Sequence, residues 1–264
     1  MKKQKILLFG STSEICKDLI PKFESRGNDI YRFHRSTSNY FNSRDNMHRK
    51  KHITLSNKTN IKTQKFDKIF QGWDIAIFFY GDFGEIGKFH KVKYEKWEKS
   101  FESNLFIVTK ILHRLLFHSN SKKTKSVITF SGSGTNGPAD NYSAYTIGKI
   151  ALIKLTELID SEYNDVKIAT LGPGWYDSKL HSKTLNHKKM SGENYKKTVD
   201  NIKITNNKEI SDKIYEFIDW FISSKKELVS GRNFSLIHDA WNNKNLNKKL
   251  IDKNIYKLRR NNNF

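Results

Sequence analysis

The chain has 264 residues, with 48 Lys+Arg against 27 Asp+Glu and a formal charge of +21. Hydrophobic residues make up 36% and aromatic residues 13%, enough apolar side chain for a sizeable core, which excludes wholesale disorder. The single cysteine, Cys16, excludes an internal disulfide and a multi-thiolate zinc site and points to a reducing compartment. Between Met1 and Gly10 only four apolar residues follow the basic lead, too few for a signal-peptide core. No segment approaches the roughly 20 apolar residues of a membrane span, so a soluble cytoplasmic protein is expected. The charge invites a nucleic-acid reading, but the lysines are scattered among asparagines with no long like-charge run, as solvated faces would have them. Nucleic acid is therefore not the expected partner. The densest basic stretch, Lys244 to Arg260, reads as a C-terminal tail free to fray.

In chain order, Lys5–Phe9 reads as a strand buried on both faces and ending at Gly10. Ser11-Thr12-Ser13-Glu14 has capping-box spacing and opens an amphipathic helix that runs through Phe23 and stops at Gly27. Asp29–Phe33 is a second strand, 38–50 a polar loop, and His52–Leu55 a short third strand. The apolar run from Asp74 to Tyr80 ends at Gly81, and Trp97–Leu116 has the helical period. Ser126–Phe130 is a strand, 131–141 a Gly/Ser/Asn-rich loop, and 142–162 a strong helix. Val166–Leu171 is a strand that leads into Gly172-Pro173-Gly174 and a Lys-rich polar segment to about 206. Ile210–Ile222 is a helix and Phe234–Ile237 a last strand. Strands alternating with helices predict an α/β fold of the Rossmann type, a doubly wound parallel sheet with helices on both faces and ligands at the carboxyl ends of the strands. No repeat or composition break divides 1–264, so one domain is expected, with a core of about 4–241 and the basic tail 242–264.

The most specific local feature is the pair Tyr145 and Lys149. Four residues apart on a helix, they share one face, and a cation beside a phenol of ordinary pKa ~10 favours its ionised form. Ser133 precedes them in Phe130-Ser131-Gly132-Ser133-Gly134-Thr135, directly after a strand. At these residues the chain resembles the short-chain dehydrogenase/reductase family. Trp97 to Leu105 is similar to the family's Trp…Asn-Leu helix and puts Asn104 in its fourth catalytic position. Leu171 to Ser178 resembles its Pro-Gly-x-x-x-Thr segment, and Ser230-Gly231 its Thr-Gly before the last strand.

The resemblance implies an NAD(P)-dependent oxidoreductase that interconverts a secondary alcohol and a carbonyl. Tyr145 would exchange the proton at the substrate oxygen, Lys149 would lower the phenol pKa and bind the nicotinamide ribose, and Ser133 would hydrogen-bond the reacting oxygen. Asn104 would hold a water that links Lys149 to solvent. A gap-free match to the commonest family pattern puts Gly132 at the serine place, whereas the nucleotide-sugar epimerase pattern puts Ser133 there; Ser131 is the reserve. Gly10, Ser11, Thr12, Ser13, Glu14 and Ile15 would form the phosphate turn, with Gly81, Pro173, Gly174 and Ser178 completing the cofactor site. The family's Gly-x-x-x-Gly-x-Gly keeps only Gly10, with Glu14 and Cys16 at the other two places. Arg35 and Ser36, at the end of the second strand where an acidic residue would select NAD, favour NADP over NAD. His181, His187, Trp175, Tyr176, Lys179 and Lys183 would suit an anionic or nucleotide-linked small molecule, with a sugar or nucleotide sugar as the first guess. An NAD-dependent epimerase or dehydratase would use the same Tyr145 and Lys149. A non-catalytic dinucleotide-sensing or nucleic-acid-associated protein is the third reading, motivated by the eroded glycine turn. A homodimer or homotetramer is implied by resemblance, and no metal site is expected.

Overall fold

A computed structural model describes residues 3–35, 51–119, 123–241, 243 and 245–260. The elements are β1 (Lys5–Phe9), α1 (Glu14–Glu24), β2 (Asp29–His34), β3 (His52–Thr54), α2 (Gln64–Phe70), β4 (Ile75–Phe78), α3 (Tyr94–Phe101), a π turn (Glu102–Phe106) and α4 (Ile107–Phe117). They continue with β5 (Lys125–Phe130), α5 (Ser143–Glu162), β6 (Val166–Gly172), α6 (Ser182–Asn186), α7 (Lys188–Ser191), α8 (Glu193–Ile204), α9 (Asn207–Ser223), α10 (Lys226–Val229), β7 (Arg232–Ser235) and α11 (Leu246–Lys249). The seven strands form one sheet in the order β3-β2-β1-β4-β5-β6-β7, parallel at every pairing. Successive strands step outward from β1 in one direction as far as β3 and then in the other from β4. The switch point between β1 and β4 therefore opens a crevice at their carboxyl ends.

Strand periodicity divides the core between two faces. In β1, Ile6 and Leu8 point into the layer of α1 and α9, with Phe217, Phe221 and Phe234. Leu7 and Phe9 point into the other layer, with Trp73, Val108 and Ile111 from the α2 and α4 side. Phe9 stacks on Phe33 at 4.4 Å and on Phe78 at 4.7 Å, joining the three strands that flank the crevice.

Four local features depart from the sequence expectations. Helix α1 is capped by the Ser13 hydroxyl, which accepts from the Cys16 N–H at 3.2 Å, so Glu14 is the first helical residue and no Ser11–Glu14 capping box forms. The reason is the turn at Gly10. Its φ of +78° carries the chain back so that the Gly10 and Ser11 N–H groups donate to Phe33 O, and the helix starts two residues later. The polar segment after Pro173-Gly174 folds into α6, α7 and α8, whose buried side chains are the small polar Thr184, Ser191 and Thr198. Helix α2, absent from the expected elements, buries Phe66 and Phe70. The described part of the basic tail is packed rather than frayed, with Leu246 and Leu250 in the core.

Arg232 holds that tail. Its guanidinium, 2% exposed, donates to Asp252 O at 3.0 Å, Ile255 O at 2.6 Å and Leu250 O at 2.6 Å. Asn233 N adds a bond to Tyr256 O at 2.8 Å, which brings Tyr256 and Lys257 to the crevice. Arg232→Met, which leaves those carbonyls without donors, is expected to cost ~3 kcal/mol in a urea titration and to expose Lys253 and Lys257 to trypsin.

Candidate active site

A cleft of about 1050 Å³ lies over the carboxyl ends of the strands. Gly10, Thr12, Ser13, Glu14 and Ile15 line its floor, whereas Ser11 is fully buried beneath it. A Cβ at Gly10 would stand 3.2 Å from the Phe79 carbonyl carbon, so only glycine suits this positive φ and close approach. Cys16 fills the place under the turn with a buried side chain whose burial pushes its thiol pKa up. Glu14 puts a carboxylate at the helix N-terminus, favourable for the helix but opposed to a bound phosphate. Arg35 is exposed at the cleft rim beyond β2; Ser36 lies outside the described residues. Gly81, Pro173, Gly174 and Ser178 all line the cleft.

Helix α5 delivers Tyr145 and Lys149 to the cleft in its first two turns. Tyr145 is 5% exposed, and burial pushes its phenol above the ordinary value. Phe83 meets its ring edge-on at 5.0 Å. Lys149 is 2% exposed and has no carboxylate partner among the described residues. Its ammonium donates to Tyr80 O at 2.7 Å and Phe130 O at 3.0 Å, and stands 5.7 Å from the centre of the Tyr145 ring. Taking that charge out of water lowers the Lys149 pKa to about 7.

The three candidate serine positions are distinct in space. A Cβ on Gly132 would lie 2.4 Å from the Tyr145 hydroxyl, so Gly132 is the residue against the phenol. Ser133 is exposed at the cleft edge, and the buried Ser131 points its hydroxyl to within 3.1 Å of where a Gly172 Cβ would be. Neither hydroxyl bonds to the phenol.

Asn104 sits in the π turn, where local bonding changes from i→i+4 to i→i+5 and the Ile107 N–H donates to Glu102 O. Its side chain, fully buried and outside the cleft lining, accepts from Asp82 N at 2.9 Å and donates to Asp82 O at 2.7 Å and Ser100 O at 2.9 Å. Asn104 thus fixes the loop after β4. Gly148 permits this close helix approach, since its Cβ would stand 3.3 Å from that of Asn104.

Asp82, Tyr142 and Thr184 line the cleft without having carried a sequence signal, beside Lys183, Trp175 and His181, which the sequence had singled out. Asp82 pairs with Lys183 at 2.5 Å and accepts from Gly84 N at 2.9 Å; burial would raise its carboxyl, but these bonds hold it below the usual carboxylate range. That pair fastens α6 to the loop after β4. Trp175 stacks on His181 at 4.3 Å, and burial lowers the His181 pKa. The Tyr176 hydroxyl donates to Asp18 of α1, and Tyr142 bonds Thr184 at 2.7 Å. Tyr80 keeps a buried hydroxyl with no hydrogen-bond partner among the described residues. The glycine turn, the rim arginine and a buried lysine without a counter-charge among the described residues fit a dinucleotide; Glu14 does not.

Residues 54–236 match the family model described as Enoyl-(Acyl carrier protein) reductase. No curated protein matches the chain. Among solved structures, it is similar to a short-chain dehydrogenase/reductase of Saccharomyces cerevisiae, with a TM-score of 0.71 and 16% identity over 90% of this chain and 98% of that one. A short-chain dehydrogenase of Shigella flexneri complexed with NADP gives 0.69 and 14% over 90% and 98%. The ligand-free aldohexose dehydrogenase of Thermoplasma acidophilum gives 0.67 and 16% over 89% and 92%. No helix among the described residues is long and apolar enough to cross a membrane. The matched family model and the parallel seven-stranded sheet agree: the chain belongs to the short-chain dehydrogenase/reductase family of NAD(P)-dependent oxidoreductases.

Proposed function

We propose that the cleft interconverts a carbonyl and a secondary alcohol, with Tyr145 exchanging the proton at the oxygen. The observation that carries this reading is the buried Lys149 ammonium, poised near neutrality behind a phenol that faces the cleft. The nicotinamide supplies or accepts the hydride at the carbon. In the reducing direction Tyr145 gives its proton to the oxygen as negative charge develops there. Lys149 stabilises the phenolate that remains and binds the nicotinamide ribose. Asn104, through the π turn, holds the water that returns a proton from solvent. Pro173, Gly174, Ser178 and Gly81, which line the cleft, would hold the dinucleotide.

Arg35 supports NADP over NAD, because a guanidinium at the end of β2 can pair with a 2′-phosphate. Titrations followed by nicotinamide fluorescence test this. Arg35→Ala is expected to weaken NADPH by ~10–100-fold, the worth of one charge-assisted contact, and to leave NADH unchanged. Tighter binding of NADH by the unaltered protein would overturn the assignment.

The substrate end of the cleft carries Lys179, Lys183, Lys197 and Lys257 against Asp82 and Asp239, beside the Trp175–His181 stack. That balance suits an anionic small molecule, and the stacked rings offer a face to a sugar. Exposed Phe89, Tyr94 and Phe106 near α3 and the π turn, with Ile147 and Leu158 on α5, support a homodimer or homotetramer through these helices. The buried state of the single cysteine suits the reducing cytoplasm as the location.

A further inference from the structure

We infer that Gly132 is a positioning residue for Tyr145, and that neither Ser131 nor Ser133 brings a second hydroxyl to the reacting oxygen beside that of Tyr145. The inference rests on the proposed proton exchange at Tyr145 and adds to it the loss of the hydroxyl that the family resemblance assigns to a serine.

Three distances lead there. The end of β5 approaches α5 so closely that a Cβ at residue 132 would meet the Tyr145 hydroxyl at 2.4 Å and ring carbons at 2.6 and 2.7 Å. A phenol is carried on a rigid ring, so a side chain at 132 displaces the hydroxyl rather than sharing the space. The Tyr145 hydroxyl therefore lies where a serine at 132 would put its own side chain. Ser133, one residue on, is exposed, and the strand-end geometry that turns residue 132 toward α5 turns residue 133 to the cleft edge. Ser131 points the other way, toward Gly172 at the β6 side, with its backbone N–H fixed to Leu171 O at 3.0 Å. The neighbouring Gly134, with φ of +101° and a Cβ position 2.3 Å from Thr146, holds the loop flat against the first turn of α5. Loop and helix are thus fitted to each other through two glycines, and the catalytic phenol is seated on one of them.

The consequence is chemical. Without a serine hydroxyl the reacting oxygen has one side-chain hydrogen bond fewer, and the rate depends on the exact seat of the phenol. A donor aimed at the developing charge is worth ~10²–10³ in rate, and a displacement of ~1 Å can cost ~10².

The test uses protein labelled with ¹³C at tyrosine Cζ, the Tyr145 signal being identified by its loss in Tyr145→Phe. Between pH 5 and 9 this signal is expected to move with the ionisation of Lys149, and the movement to vanish in Lys149→Met. In Ser133→Ala the Tyr145 signal and its pH response are expected to match the unaltered protein, whereas Gly132→Ala moves the signal and weakens the response. With NADPH and a carbonyl that the unaltered protein reduces, Ser133→Ala is expected to stay within about twofold in kcat/KM, and Gly132→Ala to lose ~10²-fold. A loss of ~10² or more in Ser133→Ala, or a shift of its Tyr145 signal, overturns the inference and restores serine as a donor. An unmoved signal in Gly132→Ala overturns it as well, and if that variant does not fold, Ser133→Ala alone decides. A pH response that survives in Lys149→Met contradicts instead the proposed coupling of Tyr145 and Lys149, whatever Gly132 and Ser133 do.

Discussion

Lys149→Met is expected to lower kcat/KM for carbonyl reduction by ~10³-fold or more and to remove the pH dependence that the unaltered protein shows near neutrality. The ammonium is buried, holds two carbonyls and has no carboxylate partner among the described residues, which lowers its pKa to about 7. Below that value Lys149 is charged and stabilises the phenolate left when Tyr145 gives up its proton. As pH rises through it the charge is lost, so reduction falls on the alkaline side with a single ionisation. Because kcat/KM reports the free enzyme, the relevant value is that of the empty site. Stability moves the opposite way. From about 7 up to the ordinary lysine value of 10.5, the unfolded chain binds a proton that the folded site does not. Unfolding free energy therefore rises with pH across that window, and Lys149→Met flattens the rise. A pH–rate profile and urea midpoints at several pH values check both halves.

Tyr145→Phe is expected to lower kcat/KM by ~10³-fold, the scale of a lost general acid, while NADPH binds as before. The substitution removes one oxygen and keeps the ring that packs against Phe83 and Gly132. No described residue depends on that hydroxyl for a hydrogen bond, so thermal stability is expected to hold. Separate titration of NADPH distinguishes a lost proton donor from a damaged cofactor site. A parallel fall in NADPH affinity would place Tyr145 in binding rather than in chemistry.

The sheet was legible because buried parallel strands are short apolar runs with clear ends, as in Lys5–Phe9 before Gly10 and Ser126–Phe130 before the loop that carries Gly132. The pair Tyr145 and Lys149 was legible because helical spacing puts both on one face and the segments around them resemble those of the family. What stayed hidden depends on tertiary contact. Helices α6 to α8 bury Thr184, Ser191 and Thr198 instead of an apolar stripe, so a polar Lys-rich segment gave no period. The start of α1 was set by the Gly10 turn against Phe33, which outweighs the local spacing of Ser11 and Glu14. Which residue lies against the phenol depends on how the loop after β5 meets α5, and that residue is Gly132. The structural role of Arg232 stayed hidden because its three carbonyl partners lie 18 to 23 residues downstream.

The charge itself bears on function only at the cleft, where Arg35, Lys179, Lys183 and Lys197 gather beside a site for an anionic dinucleotide. Some cations elsewhere are paired or structural: Lys167 donates to Ile222 O and Ser224 O at the end of α9, and Arg26 pairs with Asp219.

The most direct test is transfer of label. The protein is mixed with NADPH carrying deuterium at C4 of the nicotinamide and with a panel of ketones, aldehydes and keto sugars, and the products are read by mass spectrometry. Deuterium on the carbinol carbon of at least one product, present with the unaltered protein and lost with Tyr145→Phe, is the predicted result. Equal label from the Tyr145→Phe protein, or no labelled product while NADPH binds, would contradict proton exchange by Tyr145 as the chemistry of this cleft.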